Sequence, residues 1–103
     1  MNSEALRGRV AVVTGASSGI GAAVARALAR EGAHVALAAR RESALLEVQA
    51  GLEHRGGEVK SLIAATDVAD RDQVKSLVAR TEEDLGPVDV LVNCAGIMYY
   101  TLV

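Results

Sequence analysis

The residues with the most chemical meaning lie near the start of the chain, in Thr14-Gly15-Ala16-Ser17-Ser18-Gly19-Ile20-Gly21. Glycine permits left-handed torsions and leaves no Cβ between the main chain and a ligand, so this stretch suits a backbone that turns sharply under an anion. If a helix begins here, its first N–H groups lack intrahelical partners, and its dipole places partial positive charge beside them. A diphosphate is the group such a place accommodates. Ser17 and Ser18 would add hydroxyl donors at the rim, and Gly21 would let the helix pack closely. No Gly-Lys-Ser/Thr follows, which excludes a P-loop.

Such a loop works only between a strand and a helix, and both are legible. Residues 9–14 form a short apolar, β-branched run that predicts a buried strand. Residues 20–31 predict a helix with Ala23, Val24, Ala27 and Leu28 inward and Arg26 and Arg30 outward. Gly32 fits the position just past its end. Residues 34–39 predict a second strand, and residues 42–55 a second helix with Leu45, Val48 and Leu52 inward, closed by Gly56-Gly57. Residues 58–65 predict a third strand. Asp70 with Gln73 resembles a capping box opening a third helix, with Val74, Leu77, Val78, Thr81 and Leu85 on one face and Gly86-Pro87 as its stop. Residues 88–93 are nearly continuous in apolar residues, which predicts a fourth strand covered on both faces. Strands alternating with helices through short connections predict an α/β fold with a parallel sheet. We expect one domain over residues 1–103, and a partial one, because the sequence runs only about ten residues past the fourth strand.

With these elements in place, the chain resembles the short-chain dehydrogenase/reductase family. The resemblance rests on Thr14, Gly15, Gly19 and Gly21 in the family's T-G-x-x-x-G-x-G pattern. It also rests on Asp67-Val68 after the third strand and on Asn93-Cys94-Ala95-Gly96, where the family carries N-N-A-G. It runs from about Arg7 to the last residue, and the glycine spacing differs from that of the family's extended branch. The resemblance implies a Rossmann-type doubly wound sheet, truncated after the fourth strand, that binds a nicotinamide dinucleotide. Thr14, Gly15, Ser17, Ser18, Gly19, Ile20 and Gly21 would form its phosphate loop. Asp67 would contact the adenine amino group and Val68 the ring, although Asp67 can equally cap its own turn. Asn93 would tie the fourth strand to its neighbours, while Ala95 and Gly96 would admit the nicotinamide ribose. Cys94, in place of the family's second Asn, reads as a buried, unreactive thiol.

A fold of this kind that prefers NAD usually ends its second strand on an acidic residue, which accepts from the ribose hydroxyls. Here Ala38-Ala39 is followed by Arg40-Arg41. Two cations at a helix start oppose the helix dipole and suit a 2′-phosphate, so NADP is expected over NAD.

The family's chemistry uses a Tyr with a Lys four residues on. Tyr99 has Val103 at that place, the sequence ends before it for Tyr100, and no lysine follows Lys75. No catalytic residue is therefore assigned. Glu82-Glu83-Asp84 reads as a charged helix face rather than a metal site, and His34 and His54 as solvated. The expectation is the N-terminal part of an NADP-dependent oxidoreductase moving hydride to or from a small carbonyl or alcohol substrate, the parent enzyme being a homo-oligomer. A non-catalytic nucleotide-binding module and an inactive truncated product are the alternatives.

Composition supports the class. A net charge of −2 offers no field for nucleic acid or an anionic membrane. The single cysteine allows no internal disulfide, and no apolar run approaches a membrane span. Residues 1–9 lack the apolar core of a signal peptide, so a cytoplasmic protein is expected.

Overall fold

In the computed structural model the described residues are 5–52 and 59–94. Strand β1 (Val10–Thr14) is buried at every position, and β2 (His34–Ala39) at all but its first. Both are short runs of Val, Ala and Leu that present apolar side chains to two covered faces. They pair in parallel with Val10 opposite His34 and Thr14 opposite Ala38. Strand β3 (Ser61–Ala65) pairs with the other side of β2, and β4 (Val90–Asn93) with the other side of β1. The sheet order is β3-β2-β1-β4, all parallel.

Successive residues of a strand point to opposite faces, which splits the core in two. On one face Val13, Val35, Leu37 and Ala39 meet helices α1 (Gly19–Arg30) and α2 (Glu42–Leu52) through Ala22, Ala25, Ala29, Leu45, Val48 and Leu52. On the other, Val12, Ala36, Ala38 and Leu62 meet Leu77 of helix α3 (Arg71–Asp84). Helices on both faces of a parallel sheet make the doubly wound Rossmann-type architecture that the sequence predicts. Among the described residues no helix is long and apolar enough to cross a membrane.

Helix α1 turns a different face inward from the predicted one. Gly21, Ala22, Ala25 and Ala29 are buried, Val24 and Leu28 half-buried, and Ala23 and Ala27 exposed. Apart from two arginines and its glycines the helix is apolar all round, so periodicity alone does not select a stripe; the seating of Gly21 on the loop before it does. Its C-terminus forms a Schellman arrangement around Gly32 (φ 95°), with Ala33 N–H donating to Leu28 O and Gly32 N–H to Ala29 O.

Strands β3 and β4 start later than predicted, and side chains account for both; β1 and α1 differ from their predicted bounds by one residue. The third strand begins at Ser61, because the His34 Nδ1 accepts the Lys60 N–H at 2.9 Å. That imidazole, half-buried, is a ladder partner and not a merely solvated group. The fourth strand begins at Val90, because Asp89 acts as a clasp on β1. Its Oδ2 accepts from Val10 N–H at 2.9 Å, its own N–H donates to Val10 O, and Arg9 lies 3.6 Å away. Helix α2 is described to Leu52; its predicted continuation, with His54, Gly56 and Gly57, lies outside the described residues.

Two burial expectations are corrected. Strand β4 is half-buried throughout, because it has one neighbour in the described sheet and stands at its edge. Val78 of α3 is 37% exposed, and the inward stripe is Leu77 and Thr81 flanked by half-buried Val74 and Leu85. Among the described residues one helix covers this face of the sheet.

Candidate functional site

The loop between β1 and α1 is fixed from within. Gly15 takes the left-handed conformation (φ 64°), which a Cβ would strain, and reverses the chain at the strand end. Ala16 N–H donates to Ala38 O and binds the turn to β2. Ser18 is the N-cap of α1: its Oγ accepts from Gly21 N–H at 2.9 Å, and its hydroxyl donates to Gly15 O at 2.8 Å. The Ser18 proton is thus committed to the loop, and of the two expected rim hydroxyls Ser17, exposed and without a partner among the described residues, is the one at liberty.

The two later glycines do different things. A Cβ on Gly21 would collide with the Gly15 carbonyl and reach 3.0 Å from Ala16 Cα, so the helix can seat here only on glycine. A Cβ on Gly19 would meet open space, and its torsions lie outside the left-handed region. Gly19 costs the helix stability relative to alanine, and no neighbour requires it. Room for a ligand is the physical use left for it, beside first-turn N–H groups that lack intrahelical partners. Ile20 next to it is 64% exposed, an unusual place for a large apolar side chain.

Facing this loop, the C-terminal ends of all four strands open into one cleft of about 930 Å³. Its walls are Gly15, Ser17 and Ser18, then Ala39, Arg40 and Arg41, then Thr66 to Ala69, and Cys94 after β4. The sheet is at its topological switch point between β1 and β4, where open α/β sheets hold ligands. Arg40 and Arg41 follow β2 directly, both exposed, and neither side chain has an ion pair or hydrogen bond among the described residues. Two adjacent cations with no counter-charge among the described residues, on the wall of a cleft, favour an anionic ligand group.

Asp67 is half-buried, and its Oδ1 accepts from Ala69 N–H at 2.9 Å, so the turn-capping role is real. It also lines the cleft with exposed Val68. Thr14 lies beneath the cleft rather than on its wall: it is buried, and its hydroxyl donates to Asn93 Oδ1 at 2.8 Å, pinning β1 to β4 at the switch point. Gly15, Ser17, Ser18, Arg40, Arg41, Asp67 and Val68 are therefore brought together on the cleft wall. Thr14, Gly19, Ile20, Gly21 and Asn93 support it or flank it, and Ala95 and Gly96 lie outside the described residues.

Three lining residues escaped the sequence reading. Ala39, Thr66 and Ala69 carry no chemical signature; Thr66 is placed by its N–H bond to Ala39 O, a contact between strands that sequence does not display. Cys94 is corrected: it is half-exposed on the cleft wall, because β4 ends at the sheet edge.

A family model described as short chain dehydrogenase matches residues 9–102. The chain belongs to that family. It is 62% identical over 97 residues to the glycine betaine reductase ATRR of Emericella nidulans, covering 94% of this chain and 8% of that protein. It is 40% identical over 98 residues to 2,3-dihydro-2,3-dihydroxybenzoate dehydrogenase of Bacillus subtilis, covering 95% of this chain and 37% of that one. Among solved structures it superposes, with a TM-score of 0.83 and 42% identity, on L-sorbose reductase from Gluconobacter frateurii complexed with NADPH and L-sorbose. That match covers 92% of this chain and 36% of the reductase. The relatives are oxidoreductases, and the chain spans well under half the length of each.

Proposed function

We propose that this short-chain dehydrogenase chain is the cofactor-binding portion of an NADP-dependent oxidoreductase. Its substrate is a small molecule with a carbonyl or alcohol carbon, and the dinucleotide, when bound, supplies or accepts the hydride. The observation that carries the reading is the pair Arg40 and Arg41, without a partner among the described residues, on the cleft wall where an NAD-preferring site would place a carboxylate. The vacant space at Gly19 and the N-terminus of α1 suit a diphosphate, so the residues present fit the group. The NADPH held by L-sorbose reductase supports the same choice of dinucleotide.

The chain's own residues bind and orient. Gly15 and the first turn of α1 receive phosphate oxygens, Arg40 and Arg41 hold the 2′-phosphate, and Asp67 and Val68 receive the adenine. Proton transfer at the substrate oxygen needs an acid–base group, and none of these residues is assigned that role. Charge reversal at Arg40 tests the reading. Arg40→Asp should weaken NADPH by about tenfold or more, the worth of one charge-assisted bond, and move preference toward NADH. An unchanged NADPH-to-NADH affinity ratio in the variant would contradict it.

A further inference from the structure

The loop that joins β3 to α3 lines the cleft, and one side chain outside the cleft wall holds it. In an ordinary capping box the side chain at the third helical position returns to the N–H of the cap residue. Here the Asp70 N–H is already taken, donating to Asp67 O at 2.9 Å. Gln73 reaches three residues further, and its Oε1 accepts from Asp67 N–H at 2.8 Å. Its Nε2 donates to Asp70 Oδ2 at 3.1 Å, while Asp70 Oδ1 caps the N–H groups of Asp72 and Gln73. An N–H at one end and a carboxylate at the other permit a single orientation of the amide. Asp67 is thus held at its N–H by Gln73 and at its C=O by Asp70, and its Oδ1 is held by Ala69 N–H. Its second carboxylate oxygen has no partner among the described residues and remains for a ligand.

We propose that Gln73 is a positioning residue for nucleotide selection. By fixing the main chain of Asp67, it sets the carboxylate where it accepts from the exocyclic amine of an adenine. This rests on the cofactor reading above. Gln73 is exposed, so its replacement leaves the core untouched.

The test is a titration of the full chain with NADPH and with reduced nicotinamide hypoxanthine dinucleotide phosphate, both followed by nicotinamide fluorescence. The second ligand carries a carbonyl oxygen where adenine has its amine. The unmodified chain should prefer NADPH by roughly tenfold, the worth of one hydrogen bond to a charged acceptor. Gln73→Leu should weaken NADPH by about fivefold and leave the hypoxanthine ligand nearly unchanged, collapsing the ratio. Gln73→Glu retains an acceptor for Asp67 N–H but sets a second carboxylate beside Asp70, so its ratio should fall between those of the unmodified chain and Gln73→Leu. A structural role alone would weaken both ligands together, so an unchanged ratio in Gln73→Leu overturns the proposal. Loss of the ratio as complete in Gln73→Glu as in Gln73→Leu overturns it too. Failure of the unmodified chain to bind NADPH would overturn the cofactor reading and this proposal with it.

Discussion

Gly19 and Gly21 are two residues apart, and opposite physics keeps each of them small. Gly21 is enforced by the protein, since a Cβ there meets the Gly15 carbonyl. Gly19 is not, since a Cβ there meets nothing. Gly21→Ala should therefore destabilise the chain by about 1–3 kcal/mol, as overpacking does. Gly19→Ala should leave stability equal or raise it by up to about 1 kcal/mol, through better helix propensity. Yet it should weaken NADPH by roughly tenfold, the equivalent of about 1.4 kcal/mol of lost contact. Thermal melts beside fluorescence titrations separate the two effects, and a Gly19→Ala chain that binds as tightly as the parent would remove the ligand-based reason for that glycine. The glycines, serines and arginines of the site were legible because their types carry meaning alone. Which hydroxyl stays at liberty was not legible. That depends on Ser18 spending its proton on Gly15 O, a matter of three-dimensional geometry.

At the scale of elements, the sequence displayed every strand and helix among the described residues, because each has its own apolar period and stop signals. Their edges were less legible wherever a side chain replaces a main-chain partner. Asp89 is the clearest case: it read as the second residue of a strand and proves to be the clasp that starts the β1–β4 pairing. Val10 is almost fully buried, so removing its acceptor strands an N–H away from water. Asp89→Ala should cost about 1–3 kcal/mol by chemical denaturation, whereas Asp89→Asn, which keeps an oxygen there, should cost less. The Arg9 ion pair adds little, being largely exposed. An Asp89→Ala chain as stable as the parent would show that β1 does not depend on the clasp. The face of α1 was illegible for a different reason. A helix apolar nearly all round offers several stripes, and the contact of Gly21 with Gly15 chooses among them.

At the scale of the whole molecule, the described residues form two covered central strands and two half-covered outer ones, with α1 and α2 on one face and, among those residues, α3 on the other. The fold class followed from the alternation of strands and helices. The exposure of Val78 and of β4 did not, because sequence pattern marks a residue as apolar without saying whether another element covers it. What the architecture does settle is convergence: four parallel strands end on the same side, and their loops gather Gly15, Asp67 and two arginines without partners among the described residues around one cleft. On the function proposed above, this cleft selects a nicotinamide dinucleotide that carries a 2′-phosphate. The most direct test is titration of the 103-residue chain with NADPH and with NADH, followed by nicotinamide fluorescence. Saturable binding with NADPH the tighter ligand, its advantage shrinking as salt rises, is the predicted result. Equal affinity for the two ligands, or no binding of either, would contradict it.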